Sequence, residues 1–210
     1  MRDREPLFYK FDFPANVRHA PEKLTAAVEK LSDKELMADN LDPLIDQLVR
    51  SHMFEIPVLS PDKVETDEGE VQIDVSHDPR RAMFRHDGPV HIKATEYRFY
   101  VPFKGQRDAF FAKPSTWNMD PPYADVEVGE IVIRVIKHEE RQDAAAIRKE
   151  FEQVLAKIET NLERLRGDTN GLEDRLRQTA KARIEQRRDK RKKDVSVVDQ
   201  MGFPKRERRP

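Results

Sequence analysis

A chain of 210 residues, 37% hydrophobic and 38% charged, can form one sizeable core plus an appendage but is too polar to bury itself throughout. Its formal charge is −1, yet from Gly171 to Pro210 fourteen Lys/Arg stand against seven Asp/Glu, so a +7 tail balances a remainder of −8. Charge separated along a chain favours association surfaces over a catalytic pocket. The absence of cysteine excludes disulfides, thiolate metal sites and a cysteine nucleophile. The opening Met1-Arg-Asp-Arg-Glu-Pro lacks the apolar run of a signal peptide, and no stretch of about eighteen apolar residues follows, so a cytoplasmic, non-membrane protein is expected.

In chain order, Leu7 to Phe13 alternates aromatic and polar side chains and reads as a short strand or extended arm closed by Pro14. Pro21 suits a first helical turn, with Leu24, Ala27, Val28 and Leu31 following at helical spacing. Ser32-Asp-Lys-Glu35 has the capping-box pattern and opens a second helix carrying Leu36, Leu44, Ile45, Leu48 and Val49, which Pro43 divides. From Ile56 to Ile136 the pattern is that of strands. Glu70 to Val75 alternates strictly, His91 to Val101 alternates with one slip, and Ile131 to Ile136 is a more buried run. Asp67-Glu-Gly69, Asp87-Gly-Pro89, Lys104-Gly105 and Val128-Gly129 read as turns between them. The prolines between Ala112 and Pro122 make that piece an irregular loop or edge segment, anchored by Trp117.

From Asp143 the period becomes helical. Ile147, Phe151, Val154, Ile158, Leu162 and Leu165 step by three or four along a helix of about 36 Å, forming one apolar stripe. Gly167 to Gly171 is a turn, after which Leu172, Leu176, Ala180 and Ile184 step by four along a second helix ending near Lys193. Its thin seam packs on its neighbour or on another copy of the chain. The expected fold is therefore α+β: a mainly antiparallel sheet domain with N-terminal helices over residues 1–140, a charged helical hairpin over 141–194, and a basic tail or linker over 195–210. The stripe is expected to pack the hairpin and hold copies together in a homo-oligomer.

Chemical motifs are weak. His77, His86 and His91 lie near Asp74, Asp78 and Asp87 but lack the fixed spacing of a zinc enzyme. Asp62, Glu70 and Lys93 resemble the carboxylates and lysine of metal-dependent nucleases, yet Gln72 and His91 occupy slots where charge is wanted. A nuclease is therefore the enzymatic alternative, and no catalytic, cofactor or metal residue is assigned. No glycine-rich phosphate loop or Gly-x-Ser-x-Gly elbow occurs. The basic run holding Arg183, Arg187, Arg188, Arg191 and Lys192 could track phosphates and make the chain a nucleic-acid adaptor. Glu185 and Asp189 interrupt that run and no aromatic interleaves it, so attraction to acidic parts of this or a neighbouring chain is the stronger reading.

Several stretches together carry a resemblance: Val75-Ser-His-Asp-Pro-Arg-Arg81, Tyr100-Val-Pro-Phe-Lys-Gly105, Lys113-Pro-Ser-Thr-Trp117 leading into Pro121-Pro122, then Arg187-Arg188 and Met201-Gly-Phe-Pro-Lys205. From about Phe11 to Pro204 the chain resembles the N-terminal module of predicted bacterial anti-phage or restriction-type proteins. In those, a β-rich domain and helical hairpin precede a variable effector such as a Toll/interleukin-receptor-type domain or a restriction-type nuclease. The resemblance implies a non-catalytic sensing or oligomerising role that activates an effector following the C-terminus or encoded separately; it leaves the trigger open, with a phage protein or nucleic acid as candidate partners.

Overall fold

The computed structural model describes residues 6–76, 91–117, 119–138 and 143–203. His77, His86, Asp78 and Asp87 of the histidine group, the Asp87-Gly-Pro89 turn and residues 204–210 of the tail lie outside the described residues. The fold is the mixed α+β expected, with N-terminal helices, an antiparallel sheet and two long consecutive helices at the C-terminal end.

The chain divides into two compact units, each assembled from two separate segments: residues 1–13 with 55–168, and residues 14–54 with 169–210. This division differs from a boundary at residue 140, because each long helix finds its apolar partners in a different part of the chain.

The first unit is built on β4 (His91–Lys104), which pairs antiparallel with β7 (Glu130–His138) on one edge. The other edge takes β3 (Glu65–Asp74) and then β2 (Val58–Leu59), linked by a 3₁₀ turn at Pro61–Lys63. A short β6 (Asp125–Val126) extends the sheet beyond β7. The expected turn at Asp67-Glu-Gly69 is instead continuous strand, with Gly69 opposite Glu96 in register. Turn propensity yields there to ten consecutive pairings with β4. Gly105 does mark a turn, at φ 122°; a Cβ there would stand 2.8 Å from the Pro57 backbone, so only glycine fits.

β1 (Phe11–Asp12) pairs parallel with β5 (Ala112–Lys113), and the arm before it is tied by the Leu7 and Phe8 amides donating to the carbonyls of Pro122 and Phe110. The helix α4 (Ala144–Asp168) packs along β7, and Phe151 stacks on Phe99 of β4 with ring centroids 4.4 Å apart. Lys137 of β7 pairs with Glu150 beside it.

The second unit gathers α1 (Phe13–Glu29), the single-turn α2 (Asp33–Leu36), α3 (Asp42–His52) and α5 (Leu172–Gln200), with α5 lying against α3 and α2. Pro14 does not close the arm but starts α1, leaving Pro21 inside that helix rather than at its first turn. A first-turn proline costs no hydrogen bond, so the earlier proline can take the role assigned to the later one. The capping box at Ser32 forms as read, and Pro43 opens α3. Leu24, Val28, Leu36, Ile45, Val49, Leu172, Leu176, Ala180 and Ile184 are buried in this unit.

Candidate functional site

Ile147, Phe151, Ile158, Leu162 and Leu165 are buried and Val154 is half-buried. Leu155, four residues after Phe151 and three before Ile158 but not among the positions picked out in the sequence, is buried as well. The stripe that was expected to join copies is covered within the chain, with Phe151 against the first unit's own sheet. It offers a second copy no open face. Each such side chain contributes about 1.5–3 kcal/mol on burial, which places the stripe among the fold's main stabilising elements.

The expected basic interface is likewise built into the fold. Arg183 Nε pairs with Glu29 at 2.6 Å, and Arg191 Nη2 with Asp33 at 2.8 Å. Arg187 donates to the carbonyls of Val28, in the last turn of α1, and Leu31, just beyond it, and lies 3.6 Å from Glu29. Nearly two turns before Arg183, Arg177 pairs with Asp46 of α3 at 2.6 Å. These arginines clamp α5 to the N-terminal helices. Lys192 is exposed, and Arg188 is half-buried with its Nε lacking a partner.

Glu70 and Lys93 are diagonal neighbours on β3 and β4, since Glu70 stands opposite Thr95 and Lys93 opposite Gln72, but Asp62 is not brought to them. Asp62 sits in the 3₁₀ turn before β3, while Glu70 is paired with Thr95 midway along β3, about 17 Å beyond the strand's start at Glu65. Among the described residues no group of three or more His, Asp or Glu is placed to hold a metal ion.

The sheet carries a cross-strand charge ladder. Asp67, Arg98 and Arg134 lie directly opposite one another on β3, β4 and β7, with Asp67 2.9 Å from Arg98 and Asp125 2.6 Å from Arg134. Tyr100 donates to Asp67, and its hydroxyl is held above its ordinary pKa, chiefly by burial. Every charge in the ladder has a counter-charge, so its chemistry is that of a sheet clamp.

No family model, curated protein or solved structure matches this chain. Its functional reading therefore rests on its own surfaces. Among the described residues no helix is long and apolar enough to cross a membrane.

Two surfaces are built but unfilled. On α5 no residue after Ile184 is buried, although the helix continues for sixteen residues, about 24 Å. The face that is buried as Leu176, Ala180 and Ile184 continues past Arg187 and Arg191 into Val195, Val198 and Met201. Val195 lines an open groove with Met37, while Val198 and Met201 are 42% and 59% exposed.

The second surface surrounds the N-terminal arm. Tyr9 and Trp117 rings lie 5.8 Å apart, Lys113 Nζ stands 4.2 Å over the Trp117 ring, and Lys10 Nζ stands 4.9 Å over Phe111. Tyr9, Phe11 and Tyr123 are all exposed. Two costs sit beside this cluster. Phe8 adopts φ 57°, the one described non-glycine residue with positive φ, at about 1–3 kcal/mol. Among the described residues the buried Trp117 indole N–H has no hydrogen-bond partner, which costs about 1–3 kcal/mol more. Sequence reading singled out Trp117 as an anchor but not the ring cluster, whose members are more than a hundred residues apart in the chain.

Proposed function

We propose that this chain is a non-catalytic assembly module that pairs with a second copy through the distal half of α5. The observation that carries the reading is the seam of α5 running past its intramolecular partners to present Val195, Val198 and Met201. These positions recur every three residues and form a narrow apolar line, which a two-fold related copy can cover with the same line. Lys192 and Lys193 stand beside Asp194 and Asp199, so ion pairs between copies can offset part of the basic excess of this half of the helix. In this reading the arginine clamps hold α5 rigid along the N-terminal helices and fix where the seam points. The resemblance to anti-phage modules supplies the purpose: pairing raises the local concentration of the effector each copy serves.

A seam this narrow buries little area, so the dimer dissociates at about micromolar concentration rather than nanomolar. Light scattering over a concentration series, on nuclease-treated protein, tests the proposal. A mass rising from monomer to dimer at tens of micromolar, and staying monomeric in the Val198→Glu, Met201→Glu double variant, is the expected result. A wild-type chain that stays monomeric throughout, or a double variant that dimerises like the wild type, overturns it.

A further inference from the structure

We infer that the aromatic and lysine cluster around the N-terminal arm binds a short stretch of single-stranded nucleic acid. Rings and an ammonium group alternate over Tyr9-Lys10-Phe11, which leads into β1, and Phe111 and Lys113 flank Ala112 at β5, with Trp117 added from the following loop. That alternation is what a flexible polynucleotide requires: flat faces on which unpaired bases stack, and cations between them for the phosphates. A surface evolved only to dock an apolar protein would gain nothing from the lysines that stand over the Phe111 and Trp117 rings. The backbone beneath is rigid, because the Lys10 amide donates to the Phe111 carbonyl at 2.9 Å and Phe11 is registered on Ala112.

The two unfavourable features described above flank this cluster. Phe8 is held left-handed immediately before Tyr9, its amide 2.6 Å from the Phe110 carbonyl, so the residue that sets the course of the arm into Tyr9 is a strained one. The indole N–H of Trp117 is left without a partner while its ring meets Tyr9 and Lys113. A fold that accepts both costs beside three exposed aromatic rings keeps those rings for a ligand. Duplex is a poor ligand, since its bases are already stacked. Recognition is by stacking and is therefore tolerant of sequence, and it is separate from the assembly seam on α5.

Trp117 is the chain's single tryptophan, so its fluorescence reports on this surface alone. The test titrates the full chain with fluorescein-free oligo(dT) and oligo(rU) of ten nucleotides, following Trp117 emission, and repeats it by anisotropy with labelled strands. Saturable quenching is expected, with Tyr9→Ala weakening binding roughly tenfold. Two phosphate contacts predict a shallow salt slope of about −1.4 in log K against log salt. Lys192→Glu with Lys193→Glu should leave both readouts unchanged, and the thermal melt of Tyr9→Ala should match the wild type because that ring is largely exposed. Absence of quenching overturns the inference. So does binding that survives Tyr9→Ala but is lost in the α5 variant, or quenching by a polyproline peptide and not by either oligonucleotide.

Discussion

Glu35 shows how much a single residue can owe to its near neighbours. Its carboxylate accepts from the Ser32 amide at 2.7 Å and from the Ser32 hydroxyl at 2.6 Å, and these bonds, the side-chain one first, hold its pKa below the ordinary carboxylate value. Because the folded value is depressed, the stabilisation is present above the unfolded pKa and is lost as pH falls through the folded one. An NMR titration of the Glu35 side chain should find it ionising below the ordinary glutamate range, and Ser32→Ala should raise it part of the way back, since the backbone amide of residue 32 still donates to it; an ordinary value in the wild type would contradict the cap. This pair was legible in the sequence because both partners lie within one turn. Arg183, Arg187 and Arg191 were legible only as cations. Their partners Glu29, Asp33 and the carbonyl ends of α1 lie about 150 residues away in the chain, and no local pattern points to them.

At the level of elements, α5 divides into two halves held by different forces. Leu172 to Ile184 is held by buried apolar side chains, whereas from there to Arg191 the attachment is electrostatic and partly exposed. Exposed ion pairs contribute about 0–1 kcal/mol each and are screened by salt, while apolar burial is not. Hydrogen exchange should therefore quicken for amides of Glu185 to Gln200 between low and about 1 M salt, with those of Leu176 to Ile184 unchanged; equal protection at both salts would remove the electrostatic account. The stripe on α4 was read as packing the hairpin and joining copies, since a three–four period reports that a helix has an apolar face. The period does not say what covers that face, and here it is the chain's own sheet at Phe99 rather than another copy. Conversely the turn expected at Gly69 vanished into β3, where register with β4 outweighed local preference.

At the scale of the whole molecule, each compact unit is closed by a segment distant in sequence: α4 on the sheet of the first, α5 on the N-terminal helices of the second. A fragment of residues 141–194 thus lacks the apolar partners of both its helices. Its circular dichroism should show partial helix that melts without a cooperative transition, whereas a sharp cooperative melt would mean that the two helices fold as an independent domain. What the sequence determined by itself was whatever depends on short range: helix and strand periods, the Ser32 cap, the polarity of the ends, the absence of cysteine chemistry. The tertiary structure decided the covering of the α4 stripe, the capture of the α5 arginines and the gathering of Tyr9, Phe111, Lys113 and Trp117 into one surface. Those depend on pairings between distant segments, and a pattern of residue types records that a face is apolar or a helix basic without recording which remote segment it meets.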